Sequence, residues 1–363
     1  MAEHFTQGTI MKLKGAIIGN GFIANHGHFP AYLKRNDVSI IAVSDIVKRD
    51  HPDNRLNYVY FNDYKQMLDQ INDLHFVDIS THAGSHYEIA KDCLNHGLHV
   101  LCEKPLTINF SQALELYKLA QKNKLILFPC HNYKHSPVVK SIKRVVKSNK
   151  IGKIHTVTLN TFRNTHAVGT NDWKPDWRRY KNLSGGGIAM DHGSHSLYLT
   201  FDWLECYPSS VCAFGHNKNT NIYDTEDTFN ASFLFPNGKQ AHVFLTWTAG
   251  VRKVIYTLQG ERGAIRVEED DMEVAIMREH DKDSISHKAA WDFERTKISS
   301  DWMDSSHVNW FNSMFDKFIY AIEKQQIEHS DIKDALWCVH CIESAYKSIN
   351  QDNKKIVIPD IGV

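Results

Sequence analysis

The chain has 363 residues and carries 42 basic and 42 acidic side chains, for a net charge of zero. That length suits two domains with ample core, and the charge balance excludes bulk attraction to nucleic acid or to an anionic membrane. No apolar run nears the roughly 18 residues of a membrane span.

Residues 1–11 show no basic-then-apolar leader and read as an extension ahead of the first strand. From there to about residue 130, strand and helix signals alternate. Lys14 to Ile18, Ile40 to Ser44, Tyr58 to Phe61, Phe76 to Ser80, His99 to Cys102 and Leu125 to Phe128 are short β-rich runs. Asp63 to Gln70, His86 to His96 and Asn109 to Asn123 are helical, and Pro30 predicts a kink or restart in the first helix. This βαβα rhythm predicts a doubly wound parallel sheet over residues 1–133.

Residues 134–363 read differently. Pro137 to Ser148 is a basic amphipathic helix bridging the halves, and Ile154 to Phe162 alternates. Six further strands follow between Ser210 and Met277, with Pro236-Asn237-Gly238-Lys239 as a hairpin turn. Sequential strands predict an α+β domain with a large, mostly antiparallel sheet. His280 to Arg295 reads as an irregular surface excursion, and Trp310 to Lys324 and Ile332 to Ile349 as closing helices. Seven scattered cysteines without framework spacing predict reduced thiols in the cytoplasm. Cys338-Val339-His340-Cys341 has metal-like spacing but no partner pair, so buried helix thiols are the better reading and no metal is expected.

Gly19-Asn20-Gly21-Phe22-Ile23-Ala24 follows the first strand and opens the first helix. This G-x-G-x-x-A form fits a tight turn, a backbone close to a pyrophosphate, and a helix N-terminus facing it. Asp45 ends the second strand, where a carboxylate accepts from a ribose 2′-hydroxyl and repels a 2′-phosphate. NAD is therefore expected, with Lys48 and Arg49 nearby leaving NADP as the minority option. Read structurally, Asp45 would be a turn or cap residue.

Two more runs carry chemistry. The strand Gly97 to Cys102 ends in Glu103-Lys104-Pro105, which puts a cation at the mouth of the crevice. Ser184 to His195 holds three consecutive glycines and then a helix to about Leu204. Leu197, Phe201 and Leu204 form its core stripe, while Asp191, His195 and Tyr198 share another face. Gly193 costs that helix roughly 1 kcal/mol relative to Ala, so a ligand ring is expected beside it. An Asp–His pair is also half a metal site, but no third ligand has sensible spacing. Upstream, Trp173 could stack on a sugar ring, and Arg178 and Arg179 could hold an anion. The plainer reading makes them packing anchors and solvated charges.

With Thr81-His82-Ala83-Gly84-Ser85-His86 and Asn132-Tyr133, these runs make the chain resemble the Gfo/Idh/MocA oxidoreductases, the glucose–fructose oxidoreductase and inositol dehydrogenase type. The resemblance implies a Rossmann domain, an open-faced sheet domain that forms dimers or tetramers, and a cofactor between them. It makes Lys104, Asp191 and His195 the catalytic set. It places Gly19, Gly21, Phe22, Ile23, Asp45, Thr81, His86, Glu103 and Lys104 at the cofactor. Trp173, Arg178 and Tyr198 join the catalytic set around substrate. Tyr198 stands where relatives often carry Asp, and His82 where they carry Pro, which leaves the substrate open.

The expected reaction is hydride transfer between a secondary alcohol of a sugar, inositol or related polyol and the nicotinamide. His195, with a pKa near ~6.5, takes the hydroxyl proton, Lys104 stabilises the alkoxide, and Asp191 orients a hydroxyl. A nucleotide sugar or uronic acid is the expectation if the arginines bind an anion. The rival readings are a redox-neutral NAD-dependent glycosidase or epimerase-like enzyme, and a non-enzymatic NAD- or sugar-sensing regulator.

Overall fold

Strands buried on both faces need continuous apolar runs, and the first half supplies them. The computed structural model describes residues 12–49, 57–218, 222–278, 291–299 and 307–363. In it β1 (Leu13–Ile18), β2 (Val38–Ser44), β3 (Val59–Phe61), β4 (Phe76–Ile79), β5 (His99–Cys102) and β6 (Leu127–Pro129) form one parallel sheet. The order β3-β2-β1-β4-β5-β6 places a topological switch beside β1, so a crevice opens at the carboxyl ends of β1 and β4.

Helices α1 (Phe29–Tyr32), α2 (Tyr64–Gln70), α3 (His86–Asn95) and α4 (Phe110–Asn123) connect these strands. Asp63 and Asn109 cap α2 and α4 by accepting from Lys65 N and Gln112 N. The break expected at Pro30 is present. Ala24–His28 is a π-helical turn, and α1 restarts with Pro30 in its first turn, because proline has no N–H with which to continue the preceding ladder.

The second half begins with α5 (Pro137–Lys147), β7 (Ile154–Phe162), α6 (Lys181–Ser184) and α7 (Ile188–Leu204). It continues through β8 (Ser210–His216), β9 (Thr228–Leu234), β10 (Gln240–Thr246), β11 (Lys253–Gly260), β12 (Gly263–Glu268), β13 (Asp271–Met277) and β14 (Trp291–Lys297). The chain ends with α8 (Val308–Glu323), α9 (Ser330–Asn350) and β15 (Ile356–Val357). The sheet runs β14-β13-β12-β11-β7-β10-β9-β8-β15, and every pair is antiparallel except β7 with β10. At the β9–β10 turn, Asn237 and Gly238 take φ of 61° and 75°, as the Asn-Gly pair permits.

Alternation along these strands buries one face. Val157, Leu159, Val243 and Leu258 meet the predicted α7 stripe, Leu197, Phe201 and Leu204, and α9 completes that core. Among the described residues the opposite face is left open. The polar excursion needs correction at its end: residues 279–290 lie outside the described residues, but Trp291–Lys297 is strand β14, paired with β13. It is exposed throughout, Trp291 and Phe293 included, so it has no buried face. Residues 1–11 likewise lie outside the described residues.

The two halves share their interior. From α8, Phe311, Met314, Phe315 and Phe318 pack with Ile17, Phe76 and Phe128 on one face of the first sheet. From α9, Ile332, Ala335, Leu336 and Val339 join Val77, Ile79 and Val100 on the other. No helix among the described residues is long and apolar enough to cross a membrane.

Candidate active site

The glycine turn is built for a ligand. Gly19 has φ +99°, and a Cβ there would lie 2.7 Å from the Ser80 and Thr81 backbone, so no other residue fits. A Cβ at Gly21 would meet nothing within 4 Å. That open side lies on a cavity of about 970 Å³ between the two sheets. Gly19, Gly21, Phe22, Ile23, Asp45, Thr81, Glu103 and Lys104 line it.

Asp45 braces the turn from below. Its carboxylate accepts from Asn20 N at 2.6 Å and Val47 N at 2.8 Å. Arg49 Nη1 stands 3.3 Å from it. The same guanidinium reaches across the cavity mouth to both oxygens of Asp172, each at 2.7 Å. Bonding to Arg49 holds the Asp172 carboxyl down to about 2.

His86 requires a correction. It is buried, with Nδ1 2.8 Å from Pro105 O and Nε2 3.1 Å from Thr81 O. It ties the loops after β4 and β5 together and is not on the cavity wall. His82, which was not placed at the site in advance, lines the cavity and stacks on Trp173 at 5.1 Å.

Beneath Glu103 lies a buried chain of groups that local patterns did not reveal. His28 Nδ1 meets Asp78 Oδ2 at 2.7 Å and its Nε2 meets Glu103 Oε1 at 3.1 Å. Burial opposes a charge on His28, but Asp78 and Glu103 outweigh it and raise the pKa to about 10. His28, Glu103 and Cys130 place potential ligand atoms within 4.8 Å of one another. An imidazolium flanked by two carboxylates has no lone pair for a metal ion, so the cluster suits a shared proton better.

At the far end, Lys104 Nζ donates to Asp191 O at 2.8 Å and to Asp191 Oδ1 at 2.9 Å, joining the two halves. Arg178 Nε lies 3.4 Å from the same oxygen, and its guanidinium stacks on Trp177. Burial would lift the Asp191 carboxyl, but Lys104, Arg178 and His192 hold it well below the usual range. Trp173, Arg178, His192 and His195 all line the cavity. His192 was overlooked as the residue between two named ones. Burial, opposed by Asp191 and aided by Arg163, Lys104 and Arg178, holds it down to about 3.

His195 stacks on Tyr133 at 3.9 Å and places Nδ1 2.6 Å from Tyr198 Oη. Burial first, then Lys104 and His192, push its pKa well below 6.5, so the ring is neutral. Tyr198 is the second correction: it is fully buried, stacked on His131, and absent from the cavity wall. Gly193 is the third. A Cβ there would meet Ile342 and Leu245 at ordinary distances, 3.7 and 3.8 Å, so it faces the core and not a ligand. Arg179 is the fourth, buried between the Tyr223 and Trp247 rings with Nε on His166.

The helix bearing these groups is held by a residue that no motif marks. Glu226 accepts from Gly187 N and Ala189 N, both at 2.9 Å, and from Tyr346 Oη at 2.9 Å. A carboxylate at this helix start satisfies otherwise orphaned N–H groups. Gly187 leaves the room, since a Cβ there would lie 1.8 Å from Glu226 O.

These residues fit a dinucleotide: a glycine cradle open to a cavity, a carboxylate below it, and a cation at its far end. Comparison with known proteins agrees. Residues 13–131 match the oxidoreductase family NAD-binding Rossmann fold (GFO_IDH_MocA), and residues 143–357 its C-terminal alpha/beta domain. D-glucoside 3-dehydrogenase of Escherichia coli is 29% identical over 52% of this chain and 53% of its own. The scyllo-inositol 2-dehydrogenase (NADP(+)) IolW of Bacillus subtilis is 27% identical over 58% of each. A levoglucosan dehydrogenase solved in complex with NADH superposes with TM-score 0.79 at 18% identity, covering 96% of this chain and 100% of that one.

The His28 chain makes stability depend on pH. Its folded pKa, about 10, exceeds the ordinary 6.5, so its contribution is complete below about pH 6.5 and is lost as pH rises through 10. The advantage of wild type over His28→Gln in urea midpoint is expected to shrink steadily from pH 6.5 to 10. A gap that widened would contradict the protonated bridge.

Proposed function

The chain belongs to the Gfo/Idh/MocA oxidoreductase family and carries its NAD-binding domain. From that premise we propose that it transfers a hydride between a secondary alcohol of a sugar, cyclitol or related polyol and NAD. The observation that carries the reading is the Lys104–Asp191 contact at 2.9 Å, where an ammonium from the first half meets the substrate-side helix on the cavity that His195 also lines. The glucoside and inositol dehydrogenase relatives support the substrate class. The placement of Asp45 under the glycine turn favours NAD over NADP.

A nicotinamide bound in this cavity would supply the hydride acceptor or donor. The residues then divide the remaining work. An ammonium has three N–H bonds, and Lys104 gives two to Asp191, which leaves one for a substrate oxygen. Tyr198 Oη accepts from Tyr133 N at 3.3 Å, so its own proton is best directed to His195 Nδ1. The neutral ring then carries its hydrogen on Nε2, toward the cavity. Lys104 and His195 thus offer two donors to one oxygen, a cradle for a carbonyl or alkoxide.

The two residues thus exchange the roles expected of them. His195 polarises and positions, while Lys104 moves the proton. In reduction the carbonyl carbon gains a hydride and its oxygen gains a proton from Lys104. In oxidation the step runs in reverse: the alcohol's proton passes to the Lys104 nitrogen as its carbon gives up the hydride.

Self-association is proposed through the open sheet face, where Phe214 and Leu234 remain exposed and Phe162 packs on Phe244. A homodimer or homotetramer in the cytoplasm suits that face and the seven unpaired thiols. Ile255→Asp, on this face, is expected to lower the mass measured by light scattering. An unchanged mass would place the interface elsewhere.

Lys104→Ala is expected to retain NADH binding, followed by fluorescence, while kcat falls about a hundredfold or more. Turnover at the wild-type rate would exclude the assignment. Steady nicotinamide reduction by a polyol panel separates this reading from redox-neutral chemistry. Tyr198→Phe releases Nδ1, so kcat should fall about tenfold and the pH–rate profile should move. Superimposable profiles would show that Tyr198 only packs.

A further inference from the structure

Arg163 follows β7 directly, and Arg252 directly precedes β11. These strands are antiparallel, and Phe162 faces Lys253 in their register. Arg163 and Arg252 therefore leave neighbouring strand ends, just beyond the last paired residues. The Arg163 backbone is locked there, donating to Thr246 O at 2.8 Å and accepting from Ala249 N at 3.0 Å. Its Nη1 donates to Phe162 O at 2.8 Å and Lys253 O at 3.4 Å, across the two strand ends.

Arg163 is half-buried and Arg252 exposed, so one guanidinium is partly withdrawn from water while the other stays open to it. Among the described residues, neither arginine forms an ion pair. Both line the cavity, and Arg163 is close enough to His192 to help lower its pKa. Asp191, on the same wall, is already shared between Lys104 and Arg178. Nearby, Asp176 is taken by His166 at 2.8 Å. The other carboxylates on the wall, Asp45, Asp63, Glu88 and Glu103, belong to the first half.

We propose that the substrate supplies the missing charge: it carries an anionic oxygen group, the carboxylate of a sugar acid or the phosphate of a sugar phosphate, held between Arg163 and Arg252. Guanidinium pairs recognise both groups through forked hydrogen bonds. The substrate class rests on the dehydrogenase reading above, whereas the anion site stands on the charge pattern. The site differs from the Arg178–Arg179 pair that the sequence suggested, because Arg179 is buried in packing.

The test titrates the NADH-loaded full chain with matched hexoses, hexuronates and hexose 6-phosphates, read by quenching of the tryptophans at 173 and 177. Nicotinamide turnover is followed in parallel. At least one anionic member should bind tenfold or more tighter than its neutral parent. Arg163→Ala and Arg252→Ala should each erase most of that preference, and Arg252→Lys should restore part of it. Melting curves of the variants confirm that they fold. The arm showing the preference identifies carboxylate or phosphate. Neutral parents binding as tightly throughout, or a preference that survives both alanine variants, would overturn the anion site. Absence of turnover across the panel would instead overturn the dehydrogenase reading, with the binding data still deciding the anion site.

Discussion

The contact between Lys104 and Asp191 is the constraint around which the molecule is arranged. One partner ends a strand of the parallel sheet and the other begins the helix laid across the antiparallel one. Both side chains are largely removed from water. A buried pair of this kind is weak evidence for stability, because desolvation offsets much of the attraction. Its value lies in fixing where two separately built halves meet. The short contact also commits the lysine's orientation before any substrate arrives, which is what electrostatic preorganisation requires.

The surrounding elements serve that meeting. Glu226 holds the start of α7, so Asp191, His192 and His195 emerge from a helix whose first turn is pinned. Tyr133 and Tyr198 clamp His195 between ring stacking and a hydrogen bond. At the opposite end, Arg49 bridges Asp45 and Asp172 over the cavity mouth. Asp172 is close to half exposed. Exposed pairs contribute at most about 1 kcal/mol, so this contact suits a latch that opens readily.

Much of this was legible in the chain because the relevant signals are local. A glycine turn between an apolar run and a helix, a carboxylate ending the next strand, and a lysine following a buried strand each lie within a few residues. The Asp191–His195 spacing belongs to the same class. The errors arose where one helix face had to be assigned to core or cavity. Tyr198 shares a face with His195, yet its ring points into packing. Gly193 faces α9, and His86 spans two loops. Periodicity groups side chains on a face without saying what the face meets. Glu226, His28 and the Arg163–Arg252 pair were hidden for another reason. Their meaning depends on register and on partners 37 to 120 residues away.

The last two helices carry a consequence for how the polypeptide can be divided. Phe311, Phe315 and Phe318 seal one side of the nucleotide-binding sheet, and Ile332, Leu336 and Val339 seal the other. A fragment cut after residue 133 would present both apolar surfaces to solvent. The coenzyme module is therefore not autonomous: ribosomal synthesis must deliver the carboxyl-terminal segment before the amino-terminal half acquires its finished interior.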